Sequence, residues 1–204
     1  MTTENRAIIL ASSSPFRKEL LDRLGLDYTA VSPDIDESAL PGESPAALVA
    51  RLAEQKARAV GSHNGDLVIG SDQVATIDGD ILGKPGNHES AVGQLTRLSG
   101  RHVTFHTGLC LLDCGKHEAQ VDVIPFTVLF RKLDSQQIEN YLRAEQPYNC
   151  AGSFKSEGLG ITLFEKMTGD DPTALIGLPL IRLTTMLAKA GIVLPCLQQE
   201  HVRP

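Results

Sequence analysis

The sequence lacks any long apolar run. No stretch approaches the roughly 18 apolar residues that a membrane-spanning helix needs. The first ten residues, MTTENRAIIL, contain too short an apolar run for a secretory signal peptide. These two absences predict a protein with no membrane partner and favour a cytoplasmic location.

The glycine motifs of two common nucleotide-binding folds are also missing. The chain contains neither GxxxxGK[ST], which cradles phosphates in P-loop proteins, nor GxGxxG, which binds dinucleotides in Rossmann folds. No motif supports a serine or cysteine nucleophile either. P-loop, Rossmann and covalent mechanisms are therefore not expected.

Cysteines are few, and acidic residues outnumber basic ones. The cysteines are Cys110, Cys114, Cys150 and Cys196. Their spacing matches no zinc site, so we expect free, partly buried thiols. The formal net charge is -6, whereas a protein that binds nucleic acid polymers is normally basic. Local basic groups can still hold a small anion.

The order of the predicted elements indicates the fold class. The length of 204 residues suits one compact domain or two tightly joined lobes, and no flexible linker divides the chain, so we treat 1–204 as a single domain. Helical and strand patterns alternate, and two long strand patterns, 103–112 and 119–130, then follow each other. A further short strand is predicted at 161–164. This order predicts an α/β fold with a mixed sheet that curls around a central cleft between flanking helices.

Residues 67–77 (LVIGSDQVATI) place polar side chains between two apolar runs. The runs 67–69 and 74–77 are typical of buried strands, and Asp72 lies between them. An ionised aspartate is costly to bury unless it is paired, hydrogen-bonded or bound to a metal. Asp72 is therefore either a turn residue that caps its own backbone or a functional carboxylate at the mouth of a sheet.

The first predicted helix begins with an unusual pair of cations. Ser14 is a suitable N-cap, and Pro15 suits the first helical position. Arg17 and Lys18 follow in the first turn, where positive charge opposes the helix dipole at a cost of about 0.3–1 kcal/mol each. They are either solvated surface charges or part of an anion site, where serine hydroxyls, helix N–H groups and Arg17 meet a phosphate. We favour the anion site.

Two lysines and an acidic loop are further candidates for binding an anion or a metal. Lys56 shares a helical stripe with Val49 and Leu52, so it either extends to solvent or points into a cleft. Lys84 lies in a loop framed by glycine and proline, which restrict the backbone around it. The loop 34–37 (DIDE) carries three acids, which are either solvated charges or a source of a metal ligand.

Several of these segments, taken in order, resemble the Maf, or septum-formation, family of nucleotide pyrophosphatases. Together they cover nearly the whole chain. The matching segments are 11–17 (ASSSPFR), 36–37 (DE), 51–57 (RLAEQKA), 70–74 (GSDQV), 83–85 (GKP), 151–152 (AG) and 177–180 (GLPL). Each segment is short, but the ordered set is highly specific.

The resemblance implies a fold and an activity. Members of the family have an elongated α/β fold of the Maf/ITPase-like type with a central cleft, and they form dimers, which implies a homodimer here. They cleave nucleoside triphosphates between the α and β phosphates, release pyrophosphate and use a divalent metal, Mg²⁺ or Mn²⁺.

Three positions place the chain in one branch of the family. The usual branch, which acts on dTTP and UTP, has a basic residue in place of Phe16, a threonine in place of Gln73 and a glutamine in place of Glu157. The segments 71–74 (SDQV) and 153–158 (SFKSEG) instead look like the branch that acts on 7-methyl-GTP. The resemblance therefore implies that Phe16, Gln73 and Glu157 select the base.

The same matching assigns the remaining site residues. The resemblance implies that Asp72 is the general base or a metal ligand and that Glu37 assists the metal. The residues expected to hold the triphosphate are Ser12, Arg17, Lys56 and Lys84. Such a set suits hydrolysis of a phosphoanhydride, which needs charge neutralisation and a correctly aimed water.

Two rival functions use the same residues. A non-catalytic nucleotide-binding regulator of cell division needs the phosphate-binding cations but not Asp72. A broad house-cleaning pyrophosphatase uses the whole site on modified nucleotides. The combination of Asp72 with both lysines favours an enzyme, release of pyrophosphate discriminates against the regulator, and a substrate panel separates the two enzymes.

Overall fold

A single sheet of seven strands runs through the residues that the structure, a computed structural model, describes, which are 6–60 and 65–195. The strands are β1 (Ile8–Ala11), β2 (Thr29–Val31), β3 (Leu67–Ile77), β4 (Asp80–Leu82), β5 (His102–Asp113), β6 (Glu118–Phe130) and β7 (Phe164–Thr168). The helices are α1 (Pro15–Asp22), α2 (Pro45–Ala59), α3 (His88–Leu98), α4 (Ser135–Glu145) and α5 (Leu180–Lys189). No helix within the described ranges is long and apolar enough to cross a membrane.

The sheet combines parallel and antiparallel pairing, as predicted. Its order is β2-β1-β3-β5-β6-β7, with β4 beside β3. β1 is parallel to β2 and β3, whereas every pairing from β3 to β7 is antiparallel. The alternating first part of the chain builds the parallel side, and the two long strand patterns build the antiparallel side.

One edge of β3 is covered at both ends and uncovered in the middle. β1 pairs with β3 up to Gly70, and β4 pairs with it from Ala75 onward. β5 occupies the opposite edge along almost the whole strand. Among the described strands none covers residues 71–74 on the first edge. This opening lies just beyond the carboxyl end of β1, where α/β folds bind ligands.

Of the two interpretations of Asp72, a turn residue or a functional carboxylate at the mouth of a sheet, the turn is wrong. β3 is continuous from Leu67 to Ile77, and Asp72 pairs with Gly108 in β5. The chain turns only after Ile77, at Asp78 and Gly79, which both have positive φ angles and connect β3 to β4. Asp72 is thus a mid-strand carboxylate at the opening in the sheet edge.

Helix α2 packs unusually closely on one face of the sheet. A Cβ atom added to Gly70 would lie 2.0 Å from the carbonyl oxygen of Ala53, and one added to Gly108 would lie 2.1 Å from that of Val49. Glycine at these two strand positions therefore allows the backbone of α2 to approach the sheet. The opposite face carries the larger core, to which α1, α3, α4 and α5 contribute buried side chains.

The predicted start of the first helix is confirmed. The Ser14 hydroxyl accepts a hydrogen bond from the Arg17 backbone N–H, with Pro15 as the first residue of α1. Ser44 caps α2 in the same way, by accepting from the Ala47 N–H. Serine followed by proline therefore begins both helices.

The strand predicted at 161–164 is wrong. Leu159–Leu163 is a 3-10 helix, and β7 begins only at Phe164. Gly160 lies so close to the backbone of Lys155 that an added Cβ would be 2.2 Å from its carbonyl oxygen. A short apolar run leaves the choice between strand and helix ambiguous, which is why the pattern predicted the wrong element here.

Burial raises the pKa of two of the described cysteines. Cys110 is buried, and its burial raises the pKa to about 12. Burial also raises the pKa of Cys150, which is partly exposed, as is Cys114. Cys196 lies outside the described residues. A raised pKa keeps a thiol protonated, so these observations agree with the absence of a covalent motif.

We predict that Gly70→Ala forces α2 away from the sheet. Overpacking of this kind costs about 1–3 kcal/mol of unfolding free energy. Because the added Cβ would collide with the carbonyl oxygen of Ala53, we expect the cost of Gly70→Ala to lie at the upper end of that range. Urea unfolding measures the change. Gly93→Ala is the matched control, because nothing lies within 4 Å of its added Cβ and it is in a helix, where alanine stabilises by about 0.5–1 kcal/mol. Equal effects of both substitutions would contradict the close-packing account.

Candidate active site

A cleft of about 680 Å³ lies at the uncovered edge of β3. The loop between β1 and α1 borders it, together with α2, the loop around Lys84, the segment 146–157, and Leu175 with Ile176. All the residues that the sequence assigned to substrate or metal line this cleft. They are Ser12, Phe16, Arg17, Glu37, Lys56, Asp72, Gln73, Lys84 and Glu157.

The Lys56 ammonium lies between two carboxylates. Its Nζ is 2.6 Å from Asp72 Oδ1 and 2.7 Å from Glu37 Oε1. Lys56 and Asp72 are only 6% and 7% exposed, whereas the Glu37 side chain is 57% exposed. Lys56 thus points into the cleft instead of extending to solvent. The pairing also meets the requirement that a buried aspartate have a charged or hydrogen-bonding partner.

The cations of the cleft act together on Glu37. The hydrogen bond from Lys56 lowers the pKa of Glu37, against an opposing effect of partial burial, and the positive charges of Lys56, Lys84 and Arg17 lower it further. Glu37 is therefore ionised at neutral pH. Lys84 is exposed in its loop, yet it is close enough for its positive charge to lower the pKa of Glu37.

Arg17 is held by the protein on one side of its guanidinium. Its Nε donates to the carbonyl oxygen of Gly177 at 2.8 Å, and its Nη1 lies 3.5 Å from the hydroxyl of Ser12. Burial lowers the pKa of Arg17, while the negative charges of Asp72 and Glu37 oppose that shift. A guanidinium stays charged in proteins, so Arg17 carries a fixed positive charge into the cleft.

Gln73 presents an acceptor rather than a donor. Its Nε2 donates to Thr107 Oγ1 at 3.0 Å and to the carbonyl oxygens of Ala174 and Leu175 at 2.7 and 3.1 Å. Carbonyl oxygens only accept, so the orientation of the amide is fixed by its partners. With both amide protons engaged, only Oε1 of Gln73 is left for a ligand.

The loop that carries Glu157 is attached to the end of α4. The Lys155 N–H donates to the hydroxyl of Tyr141 at 3.0 Å, and the Leu159 N–H donates to Glu145 Oε1 at 2.8 Å. Lys155 Nζ also donates to the Glu145 carbonyl oxygen at 2.9 Å. Glu157 is exposed between these two attachments and is one of the residues that line the cleft.

Sequence reasoning missed the residues that hold these groups in place. Ser71, Thr107, Tyr141 and Glu145 were given no role. Ser71 is the one residue with a signal, because it lies inside the matched segment GSDQV. The partners of the others are distant in sequence, so no local pattern identifies them.

The residues present suit a divalent metal that is bound together with a substrate. Within the described part of the chain, no group of three or more His, Cys, Asp or Glu side chains is close enough to hold a metal alone. Glu37 and Asp72 nevertheless meet at one point, the Lys56 ammonium. Magnesium is usually held by one or two carboxylates plus substrate phosphates and water, which matches this pair.

Comparison with known sequences gives consistent matches over most of the chain. A family model described as Maf-like protein matches residues 7–190. A 7-methyl-GTP pyrophosphatase of Nitrosococcus oceani is 60% identical over 185 residues, which cover 90% of this chain and 93% of that protein. A protein of the same name from Pseudomonas syringae pv. tomato is 59% identical over 190 residues, which cover 93% and 99%.

Solved structures with the same fold are much more distant in sequence. A HAM1 protein from Coxiella burnetii is similar with a TM-score of 0.52 and 16% identity, covering 90% of this chain and 99% of its own. The Staphylococcus aureus Ham1 protein is similar with a TM-score of 0.53 and 13% identity, and the match covers 92% of this chain and 100% of that protein. At this identity the likeness concerns the fold alone, and it confirms the predicted mixed sheet with flanking helices.

We predict that Lys56→Met raises the pKa of Glu37 toward its ordinary value of 4.5, because the main cause of its lowering is removed. A carboxyl group whose pKa is lowered in the folded state stabilises the fold at pH values above its ordinary pKa. That stabilisation is lost as the pH falls through the lowered pKa. Lys56→Met should lose the stabilisation that comes from the lowered pKa of Glu37. Carboxyl NMR titration measures the shift.

Lys84→Met is the control for this titration, because Lys84 acts on Glu37 only through its charge. It should raise the pKa of Glu37 by less. A Lys84→Met shift as large as that of Lys56→Met would contradict the assigned hydrogen bond.

Proposed function

The chain belongs to the Maf family, and on that premise we propose that it hydrolyses 7-methyl-GTP to 7-methyl-GMP and diphosphate. The observation that carries the proposal is that one cleft brings together the cations Arg17, Lys56 and Lys84 and the carboxylates of Glu37 and Asp72. The names of relatives that are 60% and 59% identical support the choice of substrate. We also propose a single domain over 1–204 and, as the family resemblance implies, a homodimer that acts in the cytoplasm, where nucleoside triphosphates occur.

The triphosphate is held by the cationic side of the cleft. Arg17 offers the Nη end of its guanidinium, because its Nε is engaged with the protein. Lys56 and Lys84 supply point charges, and Ser12 lies beside the N-terminus of α1, whose N–H groups favour anions. These groups neutralise the substrate and stabilise negative charge as it moves to the leaving diphosphate.

Asp72 is the residue to which we assign proton transfer. A water oxygen forms a bond to the α phosphorus, the bond from that phosphorus to the bridging oxygen breaks, and the bridging oxygen leaves with diphosphate. The water's proton passes to the Asp72 carboxylate. Substrate oxygens compete with Asp72 for the Lys56 ammonium, which frees the carboxylate for this task.

A divalent cation completes the proposed site. Mg²⁺ or Mn²⁺ would be held by Glu37, Asp72 and phosphate oxygens. When bound, such an ion adds positive charge at the phosphates and makes water a better nucleophile. Glu37 and Asp72 already lie beside one cation in the cleft, so binding of the ion would require that Lys56 move from them to the substrate.

The base is recognised by acceptors and by an aromatic ring. Glu157 can accept from the N1–H and N2–H₂ donors of guanine, and Gln73 can only accept. Methylation at N7 makes the base cationic, which favours a carboxylate. Phe16 can stack on the cationic ring, a contact worth about 0.5–2 kcal/mol.

We predict that Asp72→Asn lowers kcat by at least about 10²-fold, since it removes the proton acceptor without changing shape. Lys56 retains Glu37 as a partner, so the fold should persist. The measurement is diphosphate release with Mg²⁺ or Mn²⁺ present. A purely nucleotide-binding regulator would release no diphosphate even as wild type.

Asp113→Asn is the matched control for this experiment. Asp113 is also buried, at 8% exposure, and its Oδ1 lies 2.6 Å from Arg6 Nη2, but it is outside the cleft. This variant should lose stability and keep its kcat. Near wild-type turnover in Asp72→Asn would remove Asp72 from the mechanism.

We predict that the wild type prefers 7-methyl-GTP to GTP, dTTP and UTP, and that Glu157→Gln reduces kcat/KM more for 7-methyl-GTP than for GTP. The variant keeps the size of the side chain and removes the charge that attracts a cationic base. Phe16→Ala should have the same selective effect, more weakly. Steady-state kinetics on the four nucleotides provides the measurement.

Glu165→Gln is the control, because Glu165 is an exposed glutamate on β7 away from the cleft. It should leave both kcat/KM values unchanged. Equal proportional losses on 7-methyl-GTP and GTP in Glu157→Gln would reject recognition of the cationic base. Comparable wild-type turnover of many modified nucleotides would instead favour the house-cleaning function.

A further inference from the structure

One backbone carbonyl links Arg17 to the interior of the protein. The carbonyl oxygen of Gly177 accepts from Arg17 Nε at 2.8 Å and from Ser71 Oγ at 2.8 Å. Ser71 Oγ is also 2.8 Å from the carbonyl oxygen of Gly108 in β5, so its one proton is shared between two acceptors. Ser71 is completely buried, and it is the residue before Asp72 in β3.

The backbone at Gly177 is suited to this contact. Its φ angle of +118° is one that side-chain-bearing residues rarely adopt, and an added Cβ would lie 3.4 Å from Arg17 Nε. The Gly177 N–H donates to the carbonyl oxygens of Thr173 and Ala174 at 3.2 and 3.1 Å. Both the N–H and the carbonyl oxygen of Gly177 are therefore hydrogen-bonded within the fold.

The segment before Gly177 is attached to the same face of the sheet. Gln73 donates to the carbonyl oxygens of Ala174 and Leu175, and the Thr107 hydroxyl donates to that of Ala174 at 2.8 Å. Successive side chains of a strand point to opposite faces, so residues 71 and 73 hold this segment while Asp72 faces α2.

We propose that Ser71 is a positioning residue that fixes the direction of the Arg17 guanidinium through the carbonyl of Gly177. The hydroxyl holds the carbonyl, the carbonyl holds Nε, and the Nη end of Arg17 is thereby directed toward the phosphates. The effect on turnover rests on the proposed function, in which Arg17 binds the triphosphate. The orientation of Arg17 does not depend on that function.

The first test is a double-mutant cycle on kcat/KM for 7-methyl-GTP. Ser71→Ala should lower kcat/KM by at least about threefold, within the range of coupling between contacting residues. In the Arg17→Ala background the same change should have no further effect, because there is no guanidinium left to orient. Losses that multiply in the double variant would overturn the proposal.

Thr107→Val is the matched control for the cycle. It also removes a buried hydroxyl that holds the same segment, but through Ala174 and not through the carbonyl that Arg17 uses. It should lower the Tm about as much as Ser71→Ala, and its kinetic loss should multiply with that of Arg17→Ala. A general loosening of the segment would make the two hydroxyl variants behave alike.

The second test needs no enzymatic activity. Hydrogen exchange of the Arg17 Nε–H, followed by NMR, should be slow in the wild type, faster in Ser71→Ala and unchanged in Thr107→Val. Ser71→Cys keeps a weak donor and should be intermediate, which gives a second variant if Ser71→Ala folds poorly. Unchanged Nε exchange in folded Ser71 variants would overturn the proposal.

The two tests separate the two hypotheses. If the wild type releases diphosphate from no nucleotide, the proposed function fails and the exchange measurement still decides the role of Ser71. If the wild type is active but exchange at Nε is independent of Ser71, the positioning role fails and the proposed function stands.

Discussion

The close approach of α2 to the sheet is the constraint on which the site depends. Glycines at 70 and 108 let the helix backbone come within contact distance of two strands, where any Cβ would collide with it. Lys56 belongs to that helix, and its ammonium contacts both Asp72 and Glu37. Close packing of small residues thus produces a buried charge pair, and the cation in turn makes burial of the Asp72 carboxylate acceptable.

Strand β3 serves two purposes because its faces are different. Its uncovered edge, between β1 and β4, opens the sheet to the cleft at residues 71–74. Asp72 faces α2 and the cations, while Ser71 and Gln73 bind backbone carbonyls on the other side. The segment around Gly177 is held by these contacts, and it holds Arg17. Asp72 and the residues that hold the Gly177 segment, Ser71 and Gln73, are therefore neighbours in sequence whose side chains lie on opposite faces of the sheet.

Some local features were predictable because their causes are local. Ser14 followed by proline begins α1, and the Asp78-Gly79 pair makes the turn after β3, because capping and positive φ angles depend on neighbouring residues. The continuity of β3 through Asp72 was not predictable in the same way. A polar interruption between apolar runs is typical of a turn, but pairing with β5 keeps the strand extended. The strand expected at 161–164 is wrong because a short apolar run suits either a strand or a helical turn, and the residues up to Leu163 form a 3-10 helix.

The sequence by itself determined the family, the fold class and the candidate residues, because ordered short motifs and element patterns are properties of the chain. Only the tertiary structure decided which atoms of those residues are available. It engages both amide protons of Gln73 with distant acceptors and the Nε of Arg17 with Gly177, and it places Lys56 between two carboxylates. The physical reason is that a hydrogen bond depends on the position of both partners, and these partners come from separate parts of the chain that only folding brings together.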